Sequence, residues 1–319
     1  MGYVSRLTFH VLRLTSHVSR LTSNDSGLPK TQIAYLGTGL LGSGFVEAAL
    51  QRGDQVQVWN RTAAKAQALE AFGARAMPTP ADAVRGAERV HLVLPDDAVV
   101  ESVIDALRPG LAPSAIIVDH STTLPEKTAE RSRRLNAEGV HYLHCPVFIG
   151  PAAARHGTGT IMVSGPKALY DAVAPALAAQ ATRVDYFGER PDLAAVYKLC
   201  GNALILGITA LMADTYTVAR GGDVAPLDVL AKLQEYFNAA NIVAGRGKSR
   251  AEAKYAPGFE LTMARKDMQL MLETAGDAPL TSLPGIAARM DALIAQGHGH
   301  EDLAALGRDA IIPRTSPRR

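Results

Sequence analysis

Three closely spaced glycines constrain the fold of this 319-residue chain more than any other feature. The first glycine permits a tight turn out of a strand, the second lets a pyrophosphate approach the backbone, and the third lets the next helix pack closely against a sheet. The helix begins at the turn, so its free N–H groups face the phosphates. The pattern therefore predicts a dinucleotide-binding turn. It comprises Gly37-Thr38-Gly39-Leu40-Leu41-Gly42.

The residues on either side of the glycines support this interpretation. A short apolar run, Ile33 to Leu36, precedes them and predicts a strand. Apolar residues from Gly42 to Leu50 recur at helical spacing, and Gly53-Asp54 ends that helix. Gln55 to Trp59 then alternates as a second strand. A strand, a glycine turn, a helix and a second strand form the unit that a dinucleotide site requires.

The residues after the second strand indicate which dinucleotide is bound. The position that contacts the adenosine ribose comes about 20 residues after the glycines, and here it is Asn60-Arg61-Thr62, without a carboxylate. Arg61 is suited to pair with a 2′-phosphate and to stack on adenine, with Lys65 one turn further on. We therefore expect NADP rather than NAD. The alternative is that Arg61 is a solvated loop residue.

Strand and helix patterns alternate up to about residue 190, and the strands then cease. This predicts an α/β fold with a doubly wound, mainly parallel Rossmann sheet, followed by an all-helical second domain. We expect a dinucleotide-binding domain over residues 31–190, an interdomain helix over 191–221 and a helical substrate or oligomerisation domain over 222–319. Predicted strands lie at 33–36, 55–59, 90–94, 115–119, 140–145, 161–164 and 183–186. Predicted later helices lie at 80–85, 98–107, 125–136, 166–177, 192–221, 227–237, 259–274, 283–295 and 301–310.

Composition and charge limit the kind of protein further. A hydrophobic content of 47% supports two domains with real cores. The net formal charge of +2 argues against a nucleic-acid partner, which needs a clustered positive surface. Only two cysteines, Cys145 and Cys200, are present, so we expect no disulfide framework and a reducing, cytoplasmic location.

The longest uncharged run, Leu199 to Ala213, has 15 residues and lies between Lys198 and Asp214. A membrane span needs about 20 apolar residues, so we expect a buried helix and no membrane partner. The run is more apolar than one small helical domain requires. We therefore expect a homodimer or homotetramer.

Residues 1–27 contain a seven-residue repeat whose copies begin at Val4, Val11 and Val18. One interpretation is an Arg- and Ser-rich targeting peptide, which would direct the protein to an organelle. The other, which we favour, is translated repetitive DNA upstream of the true start. In either case residues 1–30 are expected to be a disordered or loosely helical extension without a catalytic role.

Several further motifs follow one another along residues 31–312, and with the glycine turn they resemble the β-hydroxyacid dehydrogenases. This is the 3-hydroxyisobutyrate dehydrogenase-like group related to 6-phosphogluconate dehydrogenase. The resemblance implies an oxidoreductase that transfers hydride between a nicotinamide and a small β-hydroxy acid or the matching semialdehyde or keto acid. The motifs are Leu94-Pro95 at the cofactor, Asp119-His120-Ser121-Thr122, Pro146-Val147, Lys198-Leu199-Cys200-Gly201-Asn202, Lys266-Asp267 and the loop from Gly297 to Asp302.

The resemblance assigns the proton transfer to Lys198 and Asn202. These residues are i and i+4 on a predicted helix, so their side chains share one face. The helix has few charges, and apolar surroundings lower the pKa of a lysine towards the range of a proton donor. By resemblance Lys198 is the general acid or base and Asn202 holds the substrate oxygen. The alternative for Lys198 is a helix-end lysine that extends to solvent.

Other motif residues are assigned to substrate and cofactor in the same way. Ser121 and Thr122 follow a strand at the carboxyl edge of the predicted sheet, where ligands of open α/β folds bind. The resemblance implies that Ser121 contacts the substrate carboxylate or hydroxyl, and that Lys266 closes over the cofactor. The alternatives are a helix cap for the first segment and a surface charge beside Asp267 for the second.

One segment departs from the family pattern. Most relatives have Ser-Gly-Gly after Pro-Val, whereas this chain has Phe148-Ile149-Gly150. A hydroxyl donor is lost and two large apolar groups are gained, which favours a larger or less polar substrate. Alternatively Phe148 turns into the core and backbone amides still bind a carboxylate. The change also raises imine reduction as an alternative activity, and a cofactor-binding protein without turnover is the alternative outside enzymes.

No metal site is predicted. His141 and His144 are three apart on a predicted strand, so their side chains face opposite sides. His298, His300 and Asp302 are expected to form a capped loop before the last helix rather than a metal site.

Overall fold

The computed structural model describes residues 31–236 and 247–311. They divide into two compact units, one that ends at Ala195 and one that begins at Val196. The division lies in the first turn of a long helix, close to residue 190, where the sequence predicted that the strands cease. The predicted N-terminal extension and its repeat lie outside the described residues.

The first unit is built on a six-stranded sheet in which every neighbouring pair is parallel. The strand order is β3-β2-β1-β4-β5-β6, so the order reverses between β1 and β4. A reversal of this kind leaves a crevice at the carboxyl ends of the two strands, where ligands of doubly wound sheets bind. The strands are β1 Gln32–Leu36, β2 Gln55–Trp59, β3 Arg75–Ala76, β4 Arg89–Leu92, β5 Ile116–Asp119 and β6 Tyr142–His144.

Helices cover both faces of this sheet, as the predicted doubly wound fold requires. Successive residues of β1 show why, because Tyr35 packs in the core on one face and Leu36 packs in the core on the other. Both side chains are fully buried. The helices are α1 Leu40–Gln51, α2 Ala63–Gln67, α3 Pro80–Val84, α4 Asp97–Leu107, α5 Pro125–Ala137, α6 Pro151–Arg155 and α7 Lys167–Ala178.

The last strands of the first unit form a second sheet, which corrects the expectation of one continuous sheet. Its strands are β7 Val147–Phe148, β8 Thr160–Val163 and β9 Arg183–Tyr186. The pair β7–β8 is antiparallel and the pair β8–β9 is parallel. Pro146 explains the break, because a proline has no N–H to continue the ladder of β6. Its carbonyl instead accepts a hydrogen bond from the N–H of Met162.

The described elements of the second unit are helices, apart from one isolated β-bridge between Glu260 and Asp302. The long helix α8 spans Leu193–Gly221 and is followed by α9 Pro226–Tyr236, α10 Leu261–Ala275 and α11 Leu283–Leu293. Residues 247–251 are also helical. The predicted last helix is a 3₁₀ segment, Leu303–Ile311, instead of an α-helix. The core joins α10 to α11 through apolar residues such as Leu261, Met268 and Leu293.

A buried carboxylate fixes α11 to α8. Asp214 is 1% exposed and accepts hydrogen bonds from the backbone N–H groups of Thr281, Ser282 and Leu283 at 2.6 to 2.8 Å. These donors at the start of α11 have no partner within the helix. The three hydrogen bonds lower the pKa of Asp214 even though burial alone would raise it.

The surface of α8 corrects a second expectation, because the apolar run predicted to be buried is exposed in the single chain. Leu206 is 69% exposed, and Leu204 and Ile205 are each 54% exposed. By length and composition α8 is the one described helix that is long and apolar enough to cross a membrane. Only 6% of its most apolar segment is buried. One such helix is weak evidence for a span. The run requires a covering that one copy of the described chain does not supply.

Candidate functional site

The glycine turn connects β1 to α1, and two of its glycines are required by close packing. Gly37 has φ +99°, and a Cβ there would lie 2.2 Å from the carbonyl oxygen of Val93. A Cβ on Gly42 would lie 2.0 Å from the carbonyl oxygen of Gly37. Gly39 differs, since nothing lies within 4 Å of the place where its Cβ would be. The fold therefore does not need a glycine at 39, whereas a ligand that approaches the backbone does.

The N-terminus of α1 is open at this point. Gly39 is the N-cap residue, and no side chain caps the helix. The first N–H groups of a helix lack partners within it, and they attract anions. Leu40, in the first turn, is 80% exposed. These observations fit the pyrophosphate of a dinucleotide.

Asn60 ties the glycine turn to the loop after β2. Its Oδ1 accepts a hydrogen bond from the N–H of Thr38 at 3.1 Å, and its Nδ2 donates to the carbonyl oxygen of Thr62 at 3.0 Å. The sequence placed Asn60 in the cofactor loop but did not reveal this role. The Oγ1 of Thr38 is buried without a hydrogen-bond partner among the described residues, so the turn holds a polar group that a ligand is able to satisfy.

Arg61 and Lys65 are exposed at the end of β2 and in α2. Neither forms an ion pair with another described residue. One cation therefore lies on the loop that meets the adenosine ribose in folds of this type and another lies in the helix that follows it, and the loop has no carboxylate to oppose them.

Ser121 connects the loops after β4 and β5. Its Oγ accepts a hydrogen bond from the N–H of Leu94 at 3.0 Å, and its own N–H donates to Asp119 Oδ1 at 2.9 Å. The side chain is buried, with 2% exposure, whereas its neighbours Thr122 and Pro95 are exposed. In the first unit Ser121 thus orders the carboxyl edge of the sheet, and its predicted contact with substrate stays a prediction.

Asp119, two residues before this serine, belongs to a buried charge network that sequence reasoning missed. Asp119 is fully buried and accepts a hydrogen bond from the hydroxyl of Tyr142 at 2.6 Å. Burial and the adjacent carboxylate both raise the pKa of Tyr142 well above its usual value. Arg131 is 1% exposed and binds Asp97 and Glu101 at 2.6 and 2.8 Å. The network fixes α4 and α5 against the edge of the sheet.

Two buried histidines form a second feature that the sequence did not reveal. His91 Nδ1 lies 3.0 Å from His120 Nε2, and His120 Nδ1 lies 2.8 Å from the carbonyl oxygen of Cys145. A carbonyl only accepts, so the Nδ1 of His120 carries the proton and its Nε2 accepts from His91. Burial lowers the pKa of His120 to about 4 and that of His91 well below its ordinary value. Both rings are neutral at pH 7.

The segment that departs from the family pattern lies between β7 and α6. Phe148 and Ile149 are half-buried, and Ile149 packs against the core that contains Tyr35. Gly150 is exposed and is the N-cap residue of α6. Phe148 and Ile149 therefore remove the usual hydroxyl, and part of their own apolar surface is buried.

Lys198, Asn202 and Lys266 belong to the second unit. Lys198 and Asn202 lie one turn apart on α8, which confirms their predicted spacing, and both are half-buried. Burial lowers the pKa of Lys198, in the direction that the sequence predicted. Lys266, on α10, has 57% of its side chain exposed and forms an ion pair with Asp267 at 2.8 Å. Its predicted closure over the cofactor stays a prediction.

Comparison with known proteins places this geometry in a family. Residues 32–188 match the NAD binding domain of 6-phosphogluconate dehydrogenase. A 3-sulfolactaldehyde reductase of Escherichia coli is 26% identical, with 86% of this chain and 94% of the relative covered. A glyoxylate/succinic semialdehyde reductase of Arabidopsis thaliana is also 26% identical, with 82% and 91% covered.

A solved structure, an imine reductase from Myxococcus stipitatus in complex with NADP⁺, has a TM-score of 0.79 at 20% identity. The aligned region covers 88% of this chain and 99% of the imine reductase chain. At this identity the similarity shows the fold alone. The sheet order, the glycine turn and the sequence relatives lead to the same assignment. Residues 32–188 are an NAD-binding domain of the 6-phosphogluconate dehydrogenase family, and the relatives of the chain are β-hydroxyacid dehydrogenase-like oxidoreductases.

Proposed function

We propose that this oxidoreductase uses NADP(H) to interconvert a small aldehyde or keto acid and the matching hydroxy acid, with Lys198 as the proton donor and acceptor. The observation that carries the proposal is the state of Lys198. This lysine is half-buried, burial lowers its pKa, and the amide of Asn202 lies one helical turn away. A lowered pKa makes a lysine a better general acid and base than a fully solvated lysine.

The residues of the chain have separate tasks in this reaction. The bound nicotinamide supplies or takes up the hydride. The turn at Gly39 and the N–H groups of α1 hold the pyrophosphate. Lys198 gives a proton to the developing alkoxide during reduction and removes it during oxidation, and Asn202 orients the oxygen. Ser121 holds the loop that presents Thr122 to the substrate.

The preference for NADP(H) rests on Arg61 and Lys65. Both are exposed beside the glycine turn, and an arginine pairs with the dianionic 2′-phosphate while a carboxylate, which NAD would favour, is missing from the loop. The solved imine reductase holds NADP⁺. Titration of the protein fluorescence with NADPH and NADH tests this preference. Equal affinity for both, unchanged by Arg61→Ala, contradicts it.

The substrate class is proposed from the relatives and from the loop after β7. The two named relatives reduce 3-sulfolactaldehyde and glyoxylate or succinic semialdehyde, which are small anionic aldehydes. Phe148 replaces the serine and Ile149 the first glycine of the usual pattern, so we expect a substrate with a longer or more apolar arm. A panel of hydroxy acids, semialdehydes and α-keto acids, each followed by nicotinamide absorbance, identifies the class.

Imine reduction is the second candidate. Phe148-Ile149 removes a polar contact to a carboxylate, and imine reductases share the fold at a TM-score of 0.79. Lys198 favours the carbonyl substrate. The nitrogen of an imine is basic enough to take a proton from solvent, whereas the oxygen of a carbonyl needs a proton donor from the enzyme. Cyclic imines in the same panel separate the two. Turnover of imines alone, unaffected by Lys198→Ala, replaces the first proposal with the second.

We also propose that the protein works as a homo-oligomer in which a second copy covers the exposed apolar run of α8. Leu204, Ile205 and Leu206 are each more than half exposed and follow one another on the helix. Apolar surface of this extent marks an association site in soluble proteins. The mass of the protein in solution tests this proposal.

A further inference from the structure

The short helix α6 follows the loop Phe148–Gly150 and is packed very closely on α1. A Cβ placed on Gly44 of α1 would lie 2.8 Å from the carbonyl oxygen of Pro151 and 2.9 Å from the Cβ of Ala154. Real Cβ atoms do not approach backbone this closely, so only glycine fits at position 44. The first turn of α6 therefore rests directly on the backbone of α1.

A bidentate ion pair joins the same two helices. Arg155 Nε donates to Glu47 Oε2 at 2.8 Å, and Arg155 Nη2 donates to Glu47 Oε1 at 2.9 Å. The third nitrogen of the guanidinium, Nη1, donates to the carbonyl oxygen of Pro151 at 3.1 Å. The side chain of Glu47 is 13% exposed and that of Arg155 is 37% exposed. One arginine thus binds a carboxylate of α1 and the first residue of its own helix.

This contact determines where the loop lies. Phe148 is held at the start of the loop by its pairing with Thr160 in the second sheet, and Gly150 begins α6 at the end. Ile149, between them, faces Gly159, where a Cβ would lie 2.8 Å from its Cγ1. The sheet fixes the first residue of the loop and α6 fixes its last residue. Because the ion pair holds α6 on α1, it sets the distance of the loop from α1.

We propose that Glu47 and Arg155 are positioning residues that couple the loop Phe148–Gly150 to the helix that binds the dinucleotide. The proposal rests on the proposed function in that it takes this loop as the substrate side of the site. A partly exposed ion pair contributes little to stability, but a bidentate pair has a narrow geometry. Its loss should therefore change the position of the loop much more than the stability of the fold.

Hydrogen exchange on the whole protein tests the coupling without any substrate. Glu47→Gln and Arg155→Gln each remove the ion pair, and Arg155→Lys keeps the charge but not the two-point geometry. We expect amides of residues 147–155 to exchange about fivefold faster in both glutamine variants, with the lysine variant between them and the parent. NADPH should slow exchange of this segment in the parent and have a much smaller effect in the variants.

Arg108→Gln is the matched control, because Arg108 also forms a partly exposed ion pair, with Glu138, but outside α1 and α6. It should leave exchange of residues 147–155 unchanged. With a substrate from the panel, the two glutamine variants should raise the ratio of KM to kcat about tenfold while the affinity for NADPH changes less than about twofold.

Unchanged exchange of residues 147–155 in both glutamine variants overturns the proposal, and so does an equal change in Arg108→Gln. Absence of NADPH protection at this segment in a parent that does bind NADPH also overturns the coupling. If NADPH does not bind at all, the proposed function fails, while the exchange measured without ligand still decides whether the ion pair positions the loop.

Discussion

At the scale of single residues, the buried histidines show what burial does to chemistry. His91 and His120 are 0% and 3% exposed; the ring of His91 stacks on Tyr35, and the ring of His120 is tilted against Phe45. Protonation of His120 would place a second proton in the one hydrogen bond that joins the rings. Protonation of His91 would place a proton on its buried Nε2, which has no hydrogen-bond partner among the described residues. The first unit therefore depends on both rings staying neutral.

This dependence predicts that stability falls in mild acid. The pKa of His120 is about 4 in the folded chain and about 6.5 when unfolded, so the unfolded state binds more protons as the pH falls through that range. The free energy of unfolding should therefore decrease between about pH 6.5 and pH 4, by up to about 3 kcal/mol from His120 alone. Urea titrations at a series of pH values measure it.

His91→Phe provides the comparison, since it keeps a stacked ring and removes one titrating group. The decrease in unfolding free energy from pH 7 to pH 5 should be smaller in this variant than in the parent. His144 has a pKa lowered by burial as well, so part of the slope should remain. A parent whose stability is the same at both values of pH would contradict the interpretation.

At the scale of elements, the junction of β1 and α1 contains one glycine that close packing requires and another that only a bound ligand requires. A Cβ at Gly42 collides with the backbone, whereas a Cβ at Gly39 meets nothing within 4 Å. The backbone at Gly39 has φ −70°, which any residue adopts. The two glycines are therefore expected to differ in the consequences of the same substitution.

Gly39→Ala should leave the melting temperature close to that of the parent and weaken NADPH binding at least about tenfold, because its Cβ occupies the approach of the pyrophosphate. Gly42→Ala should lower the melting temperature clearly, because α1 must move away from the turn. Calorimetry and fluorescence titration on both variants measure the two effects. NADPH binding that survives Gly39→Ala intact would show that the dinucleotide does not use this turn.

Local elements of the first unit were predictable, and features that depend on distant pairing were not. The strand, glycine turn and helix from Gln32 to Gln51 follow from neighbouring residues, and β9 was predicted with its observed bounds. The short β7 and α6 carry too little pattern to be recognised. Contacts such as Tyr142 with Asp119, or His91 with His120, join residues more than 20 apart and become visible only in the fold.

The candidate site was predictable to a different degree. The helical spacing of Lys198 and Asn202 was predictable because both lie on one helix, and their role in the site stays a prediction. The burial of Ser121 was not predictable, because its partner Leu94 lies on a separate strand–loop junction. The members of the Glu47–Arg155 pair are 108 positions apart in the sequence, so no local pattern indicates their contact.

At the scale of the whole molecule, the exposed face of α8 is the main feature that one copy leaves unexplained. The sequence predicted this apolar helix correctly, and the expectation that a second copy covers it stays a prediction. We predict a dimer or tetramer by light scattering. Leu206 is the most exposed leucine of the apolar run on α8. Leu206→Glu places a charge there and should shift the mass towards that of the monomer.

The control for this experiment is Leu227→Glu, at a residue that is 77% exposed on α9, outside the apolar run. This change should leave the mass of the assembly unaltered. A monomeric parent protein would refute the proposed oligomer.

The central claim is that Lys198 transfers the proton while the first unit holds NADP(H). A single-turnover measurement tests it most directly: NADPH-loaded protein is mixed with the best aldehyde of the panel, and loss of nicotinamide absorbance is followed. We predict that Lys198→Ala binds NADPH as the parent does but oxidises it at least about 10²-fold more slowly. Oxidation at the parental rate in Lys198→Ala would contradict the account.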